Sequence, residues 1–551
     1  MYYKKLKILF LLIILSIGQT ANATNFMDDS STLILDSLSM QPKNSFLRKL
    51  YKQLFFIPVW VKEDVLAKSA DDLFYHIQND ITLEQNSGLY QESLKLQNEA
   101  ETIYASSNNL VEKISLEFRI SQLYKAYTDY AYLGGINWGA FQARISNLIV
   151  NDVSTEWVLD RPAFDAINIL ENVVFGVNMA QALEEGIPKK YHYRKLQEKL
   201  KEYREIRNNG GWNRVSLGQT PKINQSYNGI PSLKNRLLVT KDYIPCENEP
   251  LEPLVYTQCL NEAVKRFQKR NGLSVDGAVG SGTLRVLNKS VTERITTILL
   301  NLDRIKWLYK PRSPRHHIIM NIPAFTVFVE EEGRLIKQIR TIVGKPKNPT
   351  PIFSNTVKTI VLNPYWNLPT SIIVKEMIPK LIRNPNAMHR KNIEIRRGWG
   401  KNAPLVDAST IDWNSYRNTR RLPFRFAQLP GKRNALGKIK FLFPNKYAVY
   451  MHDTPSKSLF LRSKRAFSHG CIRLQKPREL LATFATFNDN IDMNSSINIL
   501  KGKKQTQINL KERVPVNIIY LTSWVDYEGK LHFYNDIYGY DKMQLKSFRR
   551  W

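Results

Sequence analysis

The 551-residue chain is 43% hydrophobic and 11% aromatic and carries a formal charge of +31. That composition excludes an intrinsically disordered chain, and the length suffices for roughly three or four domains. The positive excess suits polyanionic surroundings in general, a lysine-rich habit of the whole proteome being the plainer alternative.

Residues 1–23 read as a secretory leader. Lys4, Lys5 and Lys7 supply the positive start, residues 8–17 the apolar run, and Ala21-Asn22-Ala23 a small-x-small cleavage site that makes Thr24 the first mature residue. An apolar run of about ten residues is short for a bilayer span. An uncleaved anchor is the alternative, and it would be the chain's membrane contact. Export places the mature chain in an oxidising compartment and argues against nucleic acid. Less Lys4, Lys5 and Lys7, the charge is still +28, which leaves an anionic wall or membrane surface as its counterpart.

Residues 24–209 are helix-rich and poor in glycine. Tyr193, Leu196, Leu200, Tyr203 and Ile206 recur at three and four residues and form one apolar face that stops at Gly210-Gly211. Residues 110–132 show similar spacing. No constellation of catalytic type occurs here, so residues 24–245 are expected to be a helical scaffold followed by a connector. The connector, 212–242, is polar with Gly218, Pro221, Gly229 and Pro231, and a short strand is expected at 237–240. Cys246 and Cys259 lie thirteen apart and Cys471 is alone, so the simplest partition is one disulfide and one free thiol. Two unpaired buried thiols are the alternative. Metal binding by Cys246 and Cys259 is disfavoured, since no histidine or further cysteine lies near them.

In residues 254–288 a helix with Leu260, Val264 and Phe267 inward stops at Gly272, Asp276-Gly277 makes a turn, and a second helix begins near Ser281 with Leu284 and Leu287 inward. The pattern V-x-x-F-Q-x-x-x-G-L-x-x-D-G-x-x-G-x-x-T resembles the small peptidoglycan-binding domain found beside many wall enzymes, and residues 246–295 are assigned to it. The resemblance implies binding to glycan or peptide; a module that only orients its neighbour is the alternative.

From about residue 305 the periodicity becomes strand-like: 318–322, 324–329, a hairpin turn at Glu332-Gly333, 335–343 and 357–362. A β-dominated domain over 305–510 follows, with 511–551 as a C-terminal extension. Residues 375–420 read as a basic insertion, helix-like at 373–382, with Trp399, Trp413 and Tyr416. Residues 422–441 return the chain through Gly431 and Gly437. For Trp366, Trp413 and Arg433 plain packing or a solvated charge is the simpler reading.

Cys471 lies within Ser468-His469-Gly470-Cys471-Ile472-Arg473, and His452 ends the strand-like run 447–451 nineteen residues upstream. A thiolate attacks carbonyls where a thiol hardly does, so a cysteine nucleophile needs a base within reach. His452 at a strand end is assigned that role and His469 a local one. Gly470 lets backbone N–H groups approach a developing oxyanion, and Arg473 can pair with a substrate carboxylate. Strand neighbours point to opposite faces, so a backbone carbonyl is a better orienting group for His452 than the Asp453 side chain. An inert buried cysteine is the reading the motif has to overcome.

Together, Y-M-H-D-T-P and S-H-G-C-I-R resemble the active-site signature of the L,D-transpeptidases. The runs N-I-P-A-F, V-G-K-P, T-P-I-F-S, N-P-Y-W-N-L-P and V-P-V-N-I-I-Y-L-T-S-W extend the likeness to the large multidomain members of Gram-negative bacteria, over about residues 254–541. The resemblance implies an α+β multidomain fold: a helical scaffold, a small three-helix peptidoglycan-binding-like domain and a β-sandwich-type catalytic domain with a capping insertion. It also implies a periplasmic enzyme without metal or cofactor, carbapenem susceptibility, and peptidoglycan tetrapeptide stems as donor and acceptor, with other wall-synthesis enzymes as candidate partners. By the same resemblance Cys471 attacks and His452 transfers protons, while Gly470, His469 and Ser468 lie by the oxyanion and Arg473, Tyr450 and Trp366 by the substrate. The expected product is a 3-3 cross-link through a thioester. An L,D-carboxypeptidase, a lipoprotein-anchoring transpeptidase and a silent wall-binding protein remain alternatives. A papain-like protease is disfavoured because its cysteine would precede its histidine in the chain.

Overall fold

The computed structural model describes residues 21–106, 109–146, 157–247, 253–308, 314–400, 402–419 and 421–548. The charged start and apolar run of the expected leader lie outside them, and a helix, Ala21–Ser39, crosses the expected cleavage site. Among the described residues no helix is long and apolar enough to cross a membrane.

The N-terminal half is helical, packed around Leu50, Tyr51, Trp60, Phe74, Leu96 and Tyr124. Its longest helix, Leu110–Leu133, starts where the Asn109 side chain accepts the Val111 N–H and ends at Gly134. At that position φ is +80°, and a Cβ would sit 2.4 Å from an Asp303 carboxylate oxygen. Glu117 is fully buried on this helix and accepts the N–H groups of Val59, Trp60 and Val61 (2.7, 2.8 and 3.0 Å) and the Tyr51 hydroxyl (2.5 Å). A carboxylate inside the core is tolerable because it ties an otherwise irregular segment to the helix. The expected apolar face of Tyr193, Leu196, Leu200 and Tyr203 is buried on the helix Tyr193–Asn208, which packs against Val291–Trp307.

Helix Val291–Trp307 joins the two halves. A reciprocal Ser290–Glu293 capping box starts it. Near its end Asp303 accepts the Gly135 N–H, Lys306 donates to the Tyr130 carbonyl and Trp307 to that of Leu133. The buried Arg304 reaches the other way, to Gln544, Asp541 and the Tyr520 carbonyl.

A small three-helix module precedes it, formed by Ile230–Val239, Gln258–Arg270 and Ser281–Leu287 around Leu233, Leu237, Leu260, Val264, Phe267 and Leu287. The strand expected at 237–240 is instead the last turn of its first helix. Leu233 and Leu237, four apart, share a buried face, and Pro231 sits in the first turn, where its missing N–H costs nothing. Cys246 and Cys259 are joined in a disulfide. Gln268 donates to Asp276 Oδ1 and the Ala278 carbonyl and accepts the N–H groups of Asp276 and Gly277. The F-Q and D-G positions of the sequence pattern are thus one folded turn.

The third body is a sheet. Its strands are β1 His316–Asn321, β2 Thr326–Glu331, β3 Arg334–Gly344, β4 Phe353–Leu362, β5 Trp366–Asn367, β6 Ile393–Arg397, β7 Phe424–Gln428, β8 Ile439–Leu442, β9 Met451–His452, β10 Ala466–Ser468, β11 Ile472–Leu474 and β12 Thr506–Ile519, with a small hairpin of β13 Ser523–Val525 and β14 Leu531–Phe533. Nine of them run in the order β10-β3-β11-β9-β8-β4-β12-β1-β2, and β2 also pairs with β3. The expected sandwich is therefore one sheet that closes on itself around Ile318, Val327, Ile360, Phe441, Met451, Ile472 and Val516. Residues 511–551, expected as an extension, complete it: β12 crosses that boundary and lies between β4 and β1. The insertion is wider than 375–420. Strands β5, β7 and β6 form a separate sheet, and Ile373, Met377, Leu381, Trp413, Phe424 and Phe426 give it a core of its own.

Candidate active site

Two very short strands carry the central residues. β11 pairs in parallel with β9, so that Arg473 lies opposite His452, and β8 pairs with the other edge of β9, placing Lys440 opposite His452 as well. Cys471 immediately precedes β11, after Gly470 at φ +116°. Cys471, His452, Tyr450, Arg473, Trp366, Ser468 and His469 all line one cavity of about 450 Å³, whose far side is built by the insertion.

The cavity sets the electrostatics. Burial pushes the Cys471 thiol above its ordinary range; the Tyr450 N–H and hydroxyl, both directed at the sulfur, and the cations Lys440 and Arg473 oppose it. His452 is pushed down to about 3, first by burial and then by Arg473 and Lys440. Its Nδ1 lies 2.5 Å from the Asp453 backbone carbonyl, an acceptor that favours a proton on Nδ1, and the Leu436 carbonyl also faces the ring. The orienting group is thus a carbonyl. The Asp453 carboxylate is engaged elsewhere, by the N–H groups of Lys438 and Thr454 and by Lys457 Nζ.

Ser468 and Gly470 shape the turn before Cys471. The Ser468 hydroxyl donates to the Cys471 carbonyl (2.6 Å) and accepts the Gly470 N–H (3.1 Å), while Thr350 donates to the Gly470 carbonyl (2.8 Å). The Gly470 N–H is taken up within the turn. His469 faces the insertion and pairs with Glu376 at 3.0 Å. Trp366 lines the cavity beside Tyr450, and its indole opposes the upward push that burial gives the Tyr450 hydroxyl. Arg473 Nε is buried with no protein partner among the described residues. Trp413 lies in the insertion's core and Arg433 is exposed with its Nη1 donating to the Arg390 carbonyl, both away from the cavity lining.

Sequence reasoning missed Lys440. Its Nζ sits 3.8 Å from the Tyr450 ring centroid in the catalytic cavity. The only signal was a lysine between two apolar strand residues, Ile439 and Phe441. Glu376 and Leu436, whose backbone carbonyl faces the His452 ring, were missed too, since they arrive from distant loops. Leu436 is held by Asn434, whose buried amide binds the carbonyls of Pro364, Gln428 and Leu429 and whose Oδ1 accepts the Leu436 N–H.

Residues 315–500 match the family model of the L,D-transpeptidase catalytic domain, 45–200 that of a scaffold domain, and 253–287 that of a candidate peptidoglycan binding domain. Three family models thus match separate parts of the chain, that of the L,D-transpeptidase catalytic domain falling on the closed sheet and its insertion. A curated candidate L,D-transpeptidase of Haemophilus influenzae is 34% identical over 225 residues, 41% of this chain and 44% of the relative, so the chain spans under half of that relative's length. Among solved structures, an L,D-transpeptidase of Stackebrandtia nassauensis aligns at 13% identity over 55% of this chain and 97% of its own, with a TM-score of 0.22. One from Mycobacterium smegmatis aligns at 14% over 37% and 58%, with a TM-score of 0.18. At such TM-scores these two likenesses carry no weight. Within the matched residues 315–500, Cys471 and His452 both face the cavity described above.

Proposed function

We propose that the mature protein is a periplasmic L,D-transpeptidase that forms 3-3 cross-links between peptidoglycan stems. The observation that carries this is the placement of Cys471 and His452 beside parallel neighbours β11 and β9, in one cavity, with the imidazole Nδ1 held at the Asp453 carbonyl. The donor is a tetrapeptide stem with meso-diaminopimelate third and D-alanine fourth. His452 Nε2 takes the Cys471 proton as the sulfur attacks the carbonyl of the third residue. The Cys471 N–H, rather than that of Gly470, meets the oxyanion. His452 returns the proton to the departing D-alanine amine as the C–N bond breaks, leaving a thioester. The side-chain amine of a second stem then attacks, His452 accepts its proton, and the thiol is released as the new amide forms. Lys440 and Arg473, which lie opposite His452 on β8 and β11 and have no carboxylate partner among the described residues, are matched to the donor's carboxylates near the scissile bond.

Intact mass after mixing with a soluble tetrapeptide tests the first half. The chain should gain the donor's mass less D-alanine, and Cys471→Ala should gain nothing. An adduct that persists in Cys471→Ala would rule out this nucleophile.

A further inference from the structure

A second and larger cavity, about 810 Å³, lies between the three-helix module and the closed sheet, apart from the catalytic one. The module contributes Lys269 and Arg285; the sheet side contributes Arg340 of β3 and Lys464. None of these four cations makes a side-chain hydrogen bond or ion pair among the described residues. Two carboxylates also reach the cavity, and both are occupied. Asp276 accepts from the Gln268 amide and the Ala278 N–H, and Asp536 from the Tyr520 hydroxyl and the N–H groups of Tyr540 and Asp541. The lining therefore carries more positive than negative charge, and a concave low-dielectric wall concentrates that field.

The walls are held in place. The Ser274 and Ser463 hydroxyls meet at 3.3 Å across them, and Gly272, at φ +63°, lies where a Cβ would be 3.3 Å from the Tyr534 ring. Leu461 (81% exposed) and Val275 (53% exposed) put apolar surface among the lining residues. Lys464 and Arg465 lead directly into β10 and on to His469 and Cys471, so one run of chain borders both cavities.

We propose that this cleft is a second stem-peptide site, holding the carboxylates of one stem on Lys269, Arg285, Arg340 and Lys464 while another stem occupies the catalytic cavity. It rests on the reading of peptidoglycan as substrate. A stem suits it because several free carboxylates on a short chain with methyl side groups match four unpaired cations beside two exposed aliphatic residues.

The test is co-sedimentation of the full mature chain, carrying Cys471→Ala to prevent turnover, with purified sacculi. Arg285→Gln with Lys464→Gln should weaken binding about tenfold, while Lys222→Gln with Lys503→Gln, an equal loss of charge elsewhere, should not. Thermal unfolding of the first pair at the parent temperature shows that it folds. On sacculi whose carboxylates are capped as amides, the parent should fall to the level of the cleft pair. Equal binding by the two pairs, or an equal further loss by parent and cleft pair on capped sacculi, would overturn the site. Thioester formation by the chain with Cys471 intact reads the catalytic proposal separately.

Discussion

At the scale of the residue, Cys471 and His452 rest uncharged at neutral pH. Burial opposes the thiolate and raises Cys471, and burial with two nearby cations opposes the imidazolium and lowers His452 to about 3. Between those limits the thiol keeps its proton and the imidazole has none, so the ion pair forms only as the substrate reacts. Alkylation of Cys471 by iodoacetamide in the free protein should accordingly be slow near neutrality and still rise above about pH 9, the ordinary thiol being half ionised near 8.5. A plateau reached below neutrality would contradict this. Removing one of the two opposing cations with Lys440→Met should lower the alkylation rate at pH 8 by about threefold to tenfold. The depressed His452 also bears on stability. Unfolded histidine binds its proton near 6.5 and the buried one refuses it until about 3. Stability should be full above about 6.5 and decline as the pH falls through that window, less steeply in His452→Gln.

How much of the site was legible followed from sequence distance. Cys471 and His452 stand in two signatures within one stretch, and β9 and β11 bring them together by simple adjacency. Lys440 and Glu376 come from a cross-strand register and from the insertion, which no local pattern encodes. Gly470 was legible as a backbone device, but its N–H serves the turn, because the Ser468 hydroxyl two residues earlier reaches it first.

At the scale of the element, β9 is only two residues long and depends on the turn that leads into β8. Gly437 in that turn has φ +60°, and a Cβ there would sit 2.4 Å from the Asp453 carboxylate that binds the Lys438 N–H. Gly437→Ala should destabilise the fold by about 1–3 kcal/mol in urea unfolding and slow thioester formation, since Asp453 directly follows His452. Gly431→Ala, with nothing within 4 Å of its added methyl, should do neither. A neutral Gly437→Ala would show that the turn adapts freely. Elements whose signal was local were readable, as with the face Tyr193 to Tyr203. The helix Ile230–Val239 was not, because its β-like run Leu237 to Thr240 and two flanking breakers outweighed a ten-residue period. Strand β12 was divided between two regions because its long alternation pairs with β4 on one side and β1 on the other, partners more than 140 residues upstream.

At the scale of the whole molecule, the three bodies meet along helix Val291–Trp307, and the buried Arg304 and Lys306 bind it to both halves. That arrangement leaves, among the cavities on the third body, one that holds Cys471 and one rich in cations without a side-chain partner among the described residues. With a formal charge of +31, the chain should bind sacculi less tightly as salt rises, and the cleft variants should show a shallower dependence than the parent. The charge was plain from composition. Its concentration between two bodies was not, since Lys269 and Lys464 lie far apart in sequence and meet only after both have folded.

The most direct measurement is incubation of the mature protein with purified tetrapeptide muropeptides, followed by mass spectrometry, with Cys471→Ala alongside. Cross-linking through Cys471 predicts a dimer lighter than two donors by one D-alanine, absent with the variant. Tripeptide alone, or unchanged substrate, would contradict it.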